Sequence, residues 1–311
     1  MAKIGVCDNN IGKFTNALMA RWQADGHEVQ FEMGFSQDIL AWSDVFFCDS
    51  CDHNAKVATN EFYELTKTKK FFVRCLDIEA WLKHPGGVKW DAVSGLIFIN
   101  QFIWDMVKTY VNLDQVNAKI IRCGIDLNKF TLRKQMGGKK IAAVFGKNRL
   151  YNDKRVDDAI RIFHQLYTKH DPEYSLHILG TDSAGQSYYC QYFHRLVSES
   201  GLEPHVTFTD YVPSVNDWLE DKSYLITPGI KEAFNFATGE AMAKGIKPVI
   251  NHFLNVAEIW PMEYVYNDFS EAVDMLLAPP EPEKYRQYIT DTYNFERYYQ
   301  EMNEFMGIVK P

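Results

Sequence analysis

Short apolar runs alternate along this chain with stretches whose apolar residues recur every three to four positions. Residues 3–8 read as a buried strand and 9–12 as a turn. Residues 13–24 read as a helix, with Phe14, Ala17, Leu18 and Trp22 at helical spacing. Asp25-Gly26 stops that helix, and 27–31 alternates as a second strand. This βαβ start predicts a parallel sheet covered by helices. Runs at 45–48, 70–74, 95–99 and 119–122 continue it, with a helix from 101 to about 109. Residues 131–140, rich in glycine and lysine, read as a linker. The alternation then restarts with strands at 140–146, 174–180, 206–208, 223–226 and 248–250, helices over 156–170 and 188–200, and an aromatic-rich helical tail over 282–305. The pattern predicts two α/β halves with a cleft between them and ligands at the carboxyl ends of strands.

Chemistry concentrates in 231–245. A strand ending in Thr227-Pro228-Gly229 leads to Glu232, then to a helix start near Phe234–Ala237, with Glu240 eight positions beyond Glu232. A helix N-terminus offers backbone N–H groups and a positive dipole end to a phosphate. Glu232 precedes that helix and Glu240 lies about one turn inside it, so the two carboxylates can take hydroxyls on opposite sides of a bound diphosphate. Ribose, pyrophosphate and hexose have that layout. Taken as an isolated pair, two glutamates are more often solvated charges; the strand, turn and small-residue helix around them favour the site.

Composition narrows the classes. The 311 residues suit about two domains, and 46% hydrophobic content with 14% aromatics supplies two cores. A net charge of -8 excludes an overall electrostatic attraction to nucleic acid. Residues 1–122 hold 13 basic and 15 acidic residues, a net of -2, although Lys67, Lys69, Lys70 and Arg74 cluster there and could receive an anionic acceptor. The six scattered cysteines read as buried thiols of a reducing cytoplasm, and Cys48 and Cys51 form a lone C-x-x-C without the second pair of a zinc site. No signal peptide and no window approaching ~18 apolar residues is visible, so a soluble, cytoplasmic protein is expected.

The segment from about 120 to 261 resembles the nucleotide-binding half of the retaining glycosyltransferases that carry an E-x7-E motif on a GT-B fold (family 4-like). The motif stands here as Glu232 to Glu240, followed by Ala241-Met242-Ala243-Lys244-Gly245 and, after one inserted residue, Pro248-Val249-Ile250. Other landmarks follow in order: Gly124-Ile125-Asp126 with Phe130; Arg149-Leu150 with Asp153-Lys154; His177-Ile178-Leu179-Gly180; and Val206 through Tyr211-Val212-Pro213. Gly26-His27-Glu28-Val29 resembles the sequence after the family's first helix.

The resemblance implies two Rossmann-like domains facing a central cleft. The acceptor-side domain would cover 1–122, with a helix from about 284 to 311 packing back on it, and the nucleotide-sugar domain 123–283. It implies transfer of a sugar, hexosyl or pentosyl, from a nucleoside-diphosphate sugar to an acceptor hydroxyl, with retention. Arg149, Lys154 and Glu232 would be catalytic: the two cations neutralise the departing diphosphate and Glu232 accepts sugar hydroxyls. Donor binding would add Gly12, Gly146, Gly180, Tyr211, Val212, Phe234, Asn235, Phe236 and Glu240, the last on the ribose. No cofactor and no metal are expected, with a UDP-sugar as co-substrate; the acceptor could be a glycan, a lipid, a small molecule or a modified DNA base.

The chain departs from the family pattern at several places. Asn235 and Arg155 replace glycines, the first-domain loop keeps only Gly12 of a glycine pair, and no histidine stands in 74–79, where Asp77 or Glu79 could face the cleft. The alternative reading is a nucleotide-sugar-binding module without transfer activity.

Overall fold

The computed structural model describes residues 1–9, 14–133, 137–145, 152–180 and 187–310. The chain divides into two compact units, Met1–Gly124 with Phe295–Pro311, and Ile125–Asn294.

The first unit holds β1 (Lys3–Asp8), α1 (Asn16–Ala24), β2 (Glu28–Met33), α2 (Gln37–Trp42), β3 (Val45–Cys48), α3 (His53–Asn60), α4 (Tyr63–Lys67), β4 (Lys70–Cys75), α5 (Asp77–Trp81), β5 (Gly95–Phe98), α6 (Gln101–Lys108) and β6 (Ala118–Ile120). The sheet runs β2-β1-β3-β4-β5-β6 and its pairings are parallel. All four residues of β3 and of β5 are buried, as expected of strands covered on both faces. Side chains begin several helices: Asn100 accepts from Ile103 N at 2.9 Å ahead of α6, and Asp52 accepts from Asn54 N at 2.8 Å ahead of α3.

The second unit holds β7 (Lys140–Val144), α7 (Val156–Lys169), β8 (Ser175–Leu179), α8 (Tyr188–Glu199), β9 (Val206–Thr209), α9 (Val215–Trp218), β10 (Tyr224–Thr227), α10 (Phe236–Ala243), β11 (Lys247–Asn251), α11 (Val256–Ile259), β12 (Val265–Tyr266), α12 (Phe269–Leu277) and α13 (Pro282–Thr292). Its sheet runs β9-β8-β7-β10-β11-β12, again parallel throughout. The order reverses between β7 and β10, as in dinucleotide-binding sheets, and between β1 and β3 in the first unit. One face of this sheet packs Ile141, Ala143, Ile178 and Ile226 against α7, α8 and α12; Ala142 and Leu225 pack the other face against Ala241 of α10.

Two boundaries differ from the sequence pattern. Residues 131–140, which read as a linker, lie inside the second unit, where Arg133 N donates to Lys244 O and the Arg133 guanidinium bonds the Lys222 carbonyl. The chain returns to the first unit only after Asn294, so α13 stays with the second unit and α14 (Phe295–Met306) joins the first. In α14, Tyr298, Tyr299, Met302 and Met306 pack with Ile4, Leu18, Trp22 and Phe72, and Trp22 Nε1 donates to Asn303 Oδ1 at 2.7 Å. All six cysteines are free and buried. No helix among the described residues is long and apolar enough to cross a membrane.

Met302 has no exposed surface, so Met302→Ala leaves a cavity that this end of the core cannot fill. It should cost about 2–5 kcal/mol in urea denaturation. A change below about 1 kcal/mol would show that α14 is not part of this core.

Candidate functional site

In the second unit the order reversal brings the loops after β7 and β10 side by side. The β7 loop ends in a short 3-10 turn, Asn152–Lys154, and the β10 loop carries Pro228 to Asn235. Ile230 N donates to Asp153 O at 2.9 Å, which joins the loops through their backbones. Lys154 Nζ lies 2.7 Å from Glu232 Oε1, with the side chains 19% and 10% exposed. Two residues singled out for opposite roles in the sequence thus meet as an ion pair. Asp153 Oδ1 is buried here with no hydrogen-bond partner among the described residues. Asn251 Nδ2, at the end of β11, donates to Pro228 O at 3.2 Å and steadies the loop.

The helix start falls where the sequence pattern places it. Asn235 caps α10, its side chain accepting from Thr238 N at 3.2 Å, and Thr238 Oγ1 lies 3.0 Å from Thr227 Oγ1 at the end of β10. Asn235 has φ +65° and Arg155 has φ +49°. The two non-glycine departures therefore stand where the backbone is left-handed, which explains a glycine preference at both. Asparagine tolerates that region better than most residues and adds a cap. Arg155 is offset by its bond to Asp158, 2.9 Å from Nη2 to Oδ1.

Glu240 lies half-buried on α10, one turn beyond Phe236. Gly239 beside it packs closely: a Cβ there would come within 2.9 Å of Ile125 Cδ1, whose side chain would have to shift. Phe234 is buried, stacked on Trp260 at 5.3 Å and packed against Tyr293 at 4.7 Å and Phe236 at 5.1 Å. Its side chain anchors the loop, and only its backbone is left for a ligand. Gly180 ends β8 with φ +99°, and a Cβ would run into the Phe145 carbonyl oxygen. Tyr211 is 71% exposed and Val212 half-buried, just past the end of β9. Gly12, Gly146 and Arg149 lie outside the described residues.

The first unit gathers polar groups, of which the sequence pattern singled out Arg74 and Glu79 but missed Asp8, Asp49, Ser50 and Asp52. Asp8 and Asp49 follow buried strand residues at the carboxyl ends of β1 and β3, and both are fully buried. Arg74, at the end of β4, is buried between Asp49, with which it forms an ion pair, and Tyr298 OH, to which Nη1 donates at 2.7 Å. Arg74 therefore does not extend a basic surface with Lys67, Lys69 and Lys70. Lys69 is also occupied, donating to Ala41 O and Ser43 O at the end of α2. Burial, reinforced by Asp8 and Glu79, outweighs Arg74 and pushes the Asp49 carboxyl up to about 7.

Ser50 Oγ lies 2.6 Å from Glu79 Oε1 and 2.9 Å from Asp52 Oδ2. One hydroxyl proton cannot serve two carboxylates, so one carboxyl brings its own proton. Burial raises the Glu79 carboxyl above its ordinary range. Asp52 is held further by Asn9 Nδ2 and Asn54 N, which leaves a hydrogen-bonded chain from buried Glu79 to the half-buried Asp52. Acidic residues that directly follow apolar runs, as Asp8 and Asp49 do, were the available signal in the sequence.

Residues 139–293 match the family model described as glycosyl transferases group 1. The matched segment spans the second unit's sheet. A comparison with curated protein sequences finds no match. Among solved structures, sucrose-phosphate synthase from Thermosynechococcus elongatus is similar with a TM-score of 0.78 at 12% identity, over 98% of each chain. HepE from Anabaena in complex with UDP is similar with a TM-score of 0.78 at 12% identity, over 99% of this chain and 100% of that one. HepE in complex with UDP-glucose gives 0.74 at 13% identity, over the same shares. The fold is GT-B.

Two outcomes are expected. Asn235→Gly keeps the backbone and costs a few tenths of a kcal/mol, whereas Asn235→Ala loses the cap at an unfavourable φ and costs about 1–3 kcal/mol in urea denaturation; equal costs would sink the backbone account. The second concerns pH. Glu79 and Asp49 hold protons in the folded protein at pH values where the unfolded chain has lost them. Each contribution is full below the ordinary carboxylate range and is lost as pH rises through the folded group's raised pKa, about 7 for Asp49. Glu79→Gln should shrink that loss, read from urea midpoints at pH 4.5 and 7.5; an unchanged slope would show Glu79 ionised throughout.

Proposed function

We propose that this protein is a glycosyltransferase that moves a sugar from a nucleoside-diphosphate sugar, a UDP-sugar foremost, to an acceptor hydroxyl. The observation that carries the reading is the meeting of Lys154 and Glu232 at the order reversal of a dinucleotide-type sheet, on the loop that leads into α10. The match to glycosyl transferases group 1 supports it, as do the UDP and UDP-glucose complexes of the structurally similar HepE.

In this reading the diphosphate lies at the start of α10, where backbone amides near Asn235 and Phe236 and the helix dipole favour negative charge. Lys154, with Arg149, takes up the charge that develops as the nucleotide leaves. Glu232 accepts sugar hydroxyls and Glu240 those of the ribose. Gly180, Tyr211 and Val212, past the ends of β8 and β9, frame the base. Transfer proceeds with retention and without a metal, the donor's own phosphate helping to take the acceptor proton. The acceptor binds the first unit. The buried free thiols suit a reducing compartment, the cytoplasm.

A panel of UDP-, GDP- and ADP-sugars tests this through release of the nucleoside diphosphate. Turnover with one of them is expected, and Lys154→Ala should lower it by about 10²–10³-fold. Nucleotide binding with no turnover on any acceptor would favour the binding module, and no binding at all would sink the reading.

A further inference from the structure

Lys154 and Glu232 are partners: Nζ and Oε1 are 2.7 Å apart and both side chains are largely shielded from water. Shielding strengthens the attraction relative to an exposed pair. The pair is also locally constrained. The Ile230 N to Asp153 O bond holds the loops together whether or not the side chains meet. The Glu232 carboxylate lies against Gly229, where an added Cβ would come within 2.7 Å of Oε1. The carboxylate thus occupies the ammonium that a diphosphate would use.

The two kinds of nucleotide meet this arrangement differently. A free nucleoside diphosphate takes Lys154 from Glu232 and sets its own negative charge beside that carboxylate, to which its phosphates donate no hydrogen bond. Like charges at that range oppose one another. A nucleoside-diphosphate sugar also displaces Glu232, but its hydroxyls donate to the released carboxylate.

Resting on the reading of this site as a nucleotide-sugar site, we propose that Glu232 is an internal competitor for Lys154 that selects the sugar-bearing donor over the free nucleoside diphosphate. When the sugar has left, Glu232 reclaims Lys154 and the spent nucleotide is released. Glu232 is in this way a specificity-determining residue for the nucleotide as well as a contact for the sugar.

The test is calorimetric titration of UDP and UDP-glucose, with the guanosine and adenosine pairs in parallel, into the full chain and Glu232→Gln. The variant should bind the free diphosphate several-fold to about tenfold more tightly than the unaltered protein and should lose the preference for the sugar-bearing form. Unchanged or weaker binding of the diphosphate overturns the proposal. Glu232→Asp, which keeps the charge but shortens its reach, provides the same readout if Glu232→Gln does not fold. It too should bind the diphosphate more tightly, and no gain overturns the proposal. In a Lys154→Met background the gain from Glu232→Gln should shrink, whereas an equal gain in both backgrounds shows that the competition is not for Lys154. If the unaltered protein binds none of the three diphosphates and none of their sugar-bearing forms, the functional reading fails and not merely this inference.

Discussion

Parallel pairing is the constraint from which the rest of this protein follows. Because the paired strands in both sheets point the same way, their carboxyl ends share one edge of each sheet, and every strand must be followed by a crossover that starts there. The buried strands leave no room for polar chemistry in their length. It collects at that edge instead: Lys154, Glu232 and Asn235 in the second unit, and Asp8, Asp49, Ser50, Asp52 and Glu79 in the first. Where the strand order reverses, two such loops diverge around a point, and there the second unit sets its ion pair.

The two edges handle charge in different ways. In the second unit the cation and carboxylate pair with partial access to solvent, so a ligand can exchange with either. In the first unit the carboxyls are shielded; Arg74 offsets Asp49, and Ser50 bonds Glu79 and Asp52. Arg74 also reaches Tyr298 of α14, which ties the returning chain end to the polar cluster as well as to the apolar core. The second-unit arrangement suits binding and release of a charged ligand; the first suits holding a hydrogen-bonded chain in one geometry.

Asn235 and Arg155 show how a departure from a family pattern can leave the structure intact. A glycine is preferred there because the backbone turns left-handed, and what matters is whether the replacement can adopt that turn. Asn235 does so and caps the helix with its own side chain; Arg155 does so while bonded to Asp158. Phe234 makes the complementary point. Its place in the motif marks it for the ligand, but its ring is used to fasten the loop to Trp260 and Tyr293.

Much of the architecture was legible in the sequence, because strand and helix periodicity and the Pro-Gly turn before Glu232 are local properties. The start of α10 near Phe236 and the position of Glu240 one turn inside it followed from spacing alone. Other features depended on residues distant in the chain. Nothing local separates Arg74 from its lysine neighbours; its burial is decided by Asp49 and Tyr298. The apparent linker at 131–140 belongs to the second unit because Arg133 finds carbonyls of Lys222 and Lys244. Lys154 and Glu232 are 78 positions apart, and only the reversed strand order brings their loops together. The sequence by itself determined the elements and the residue types available for chemistry. The tertiary structure decided which charges meet and which are buried, because pairing and desolvation depend on neighbours that only the folded sheets supply.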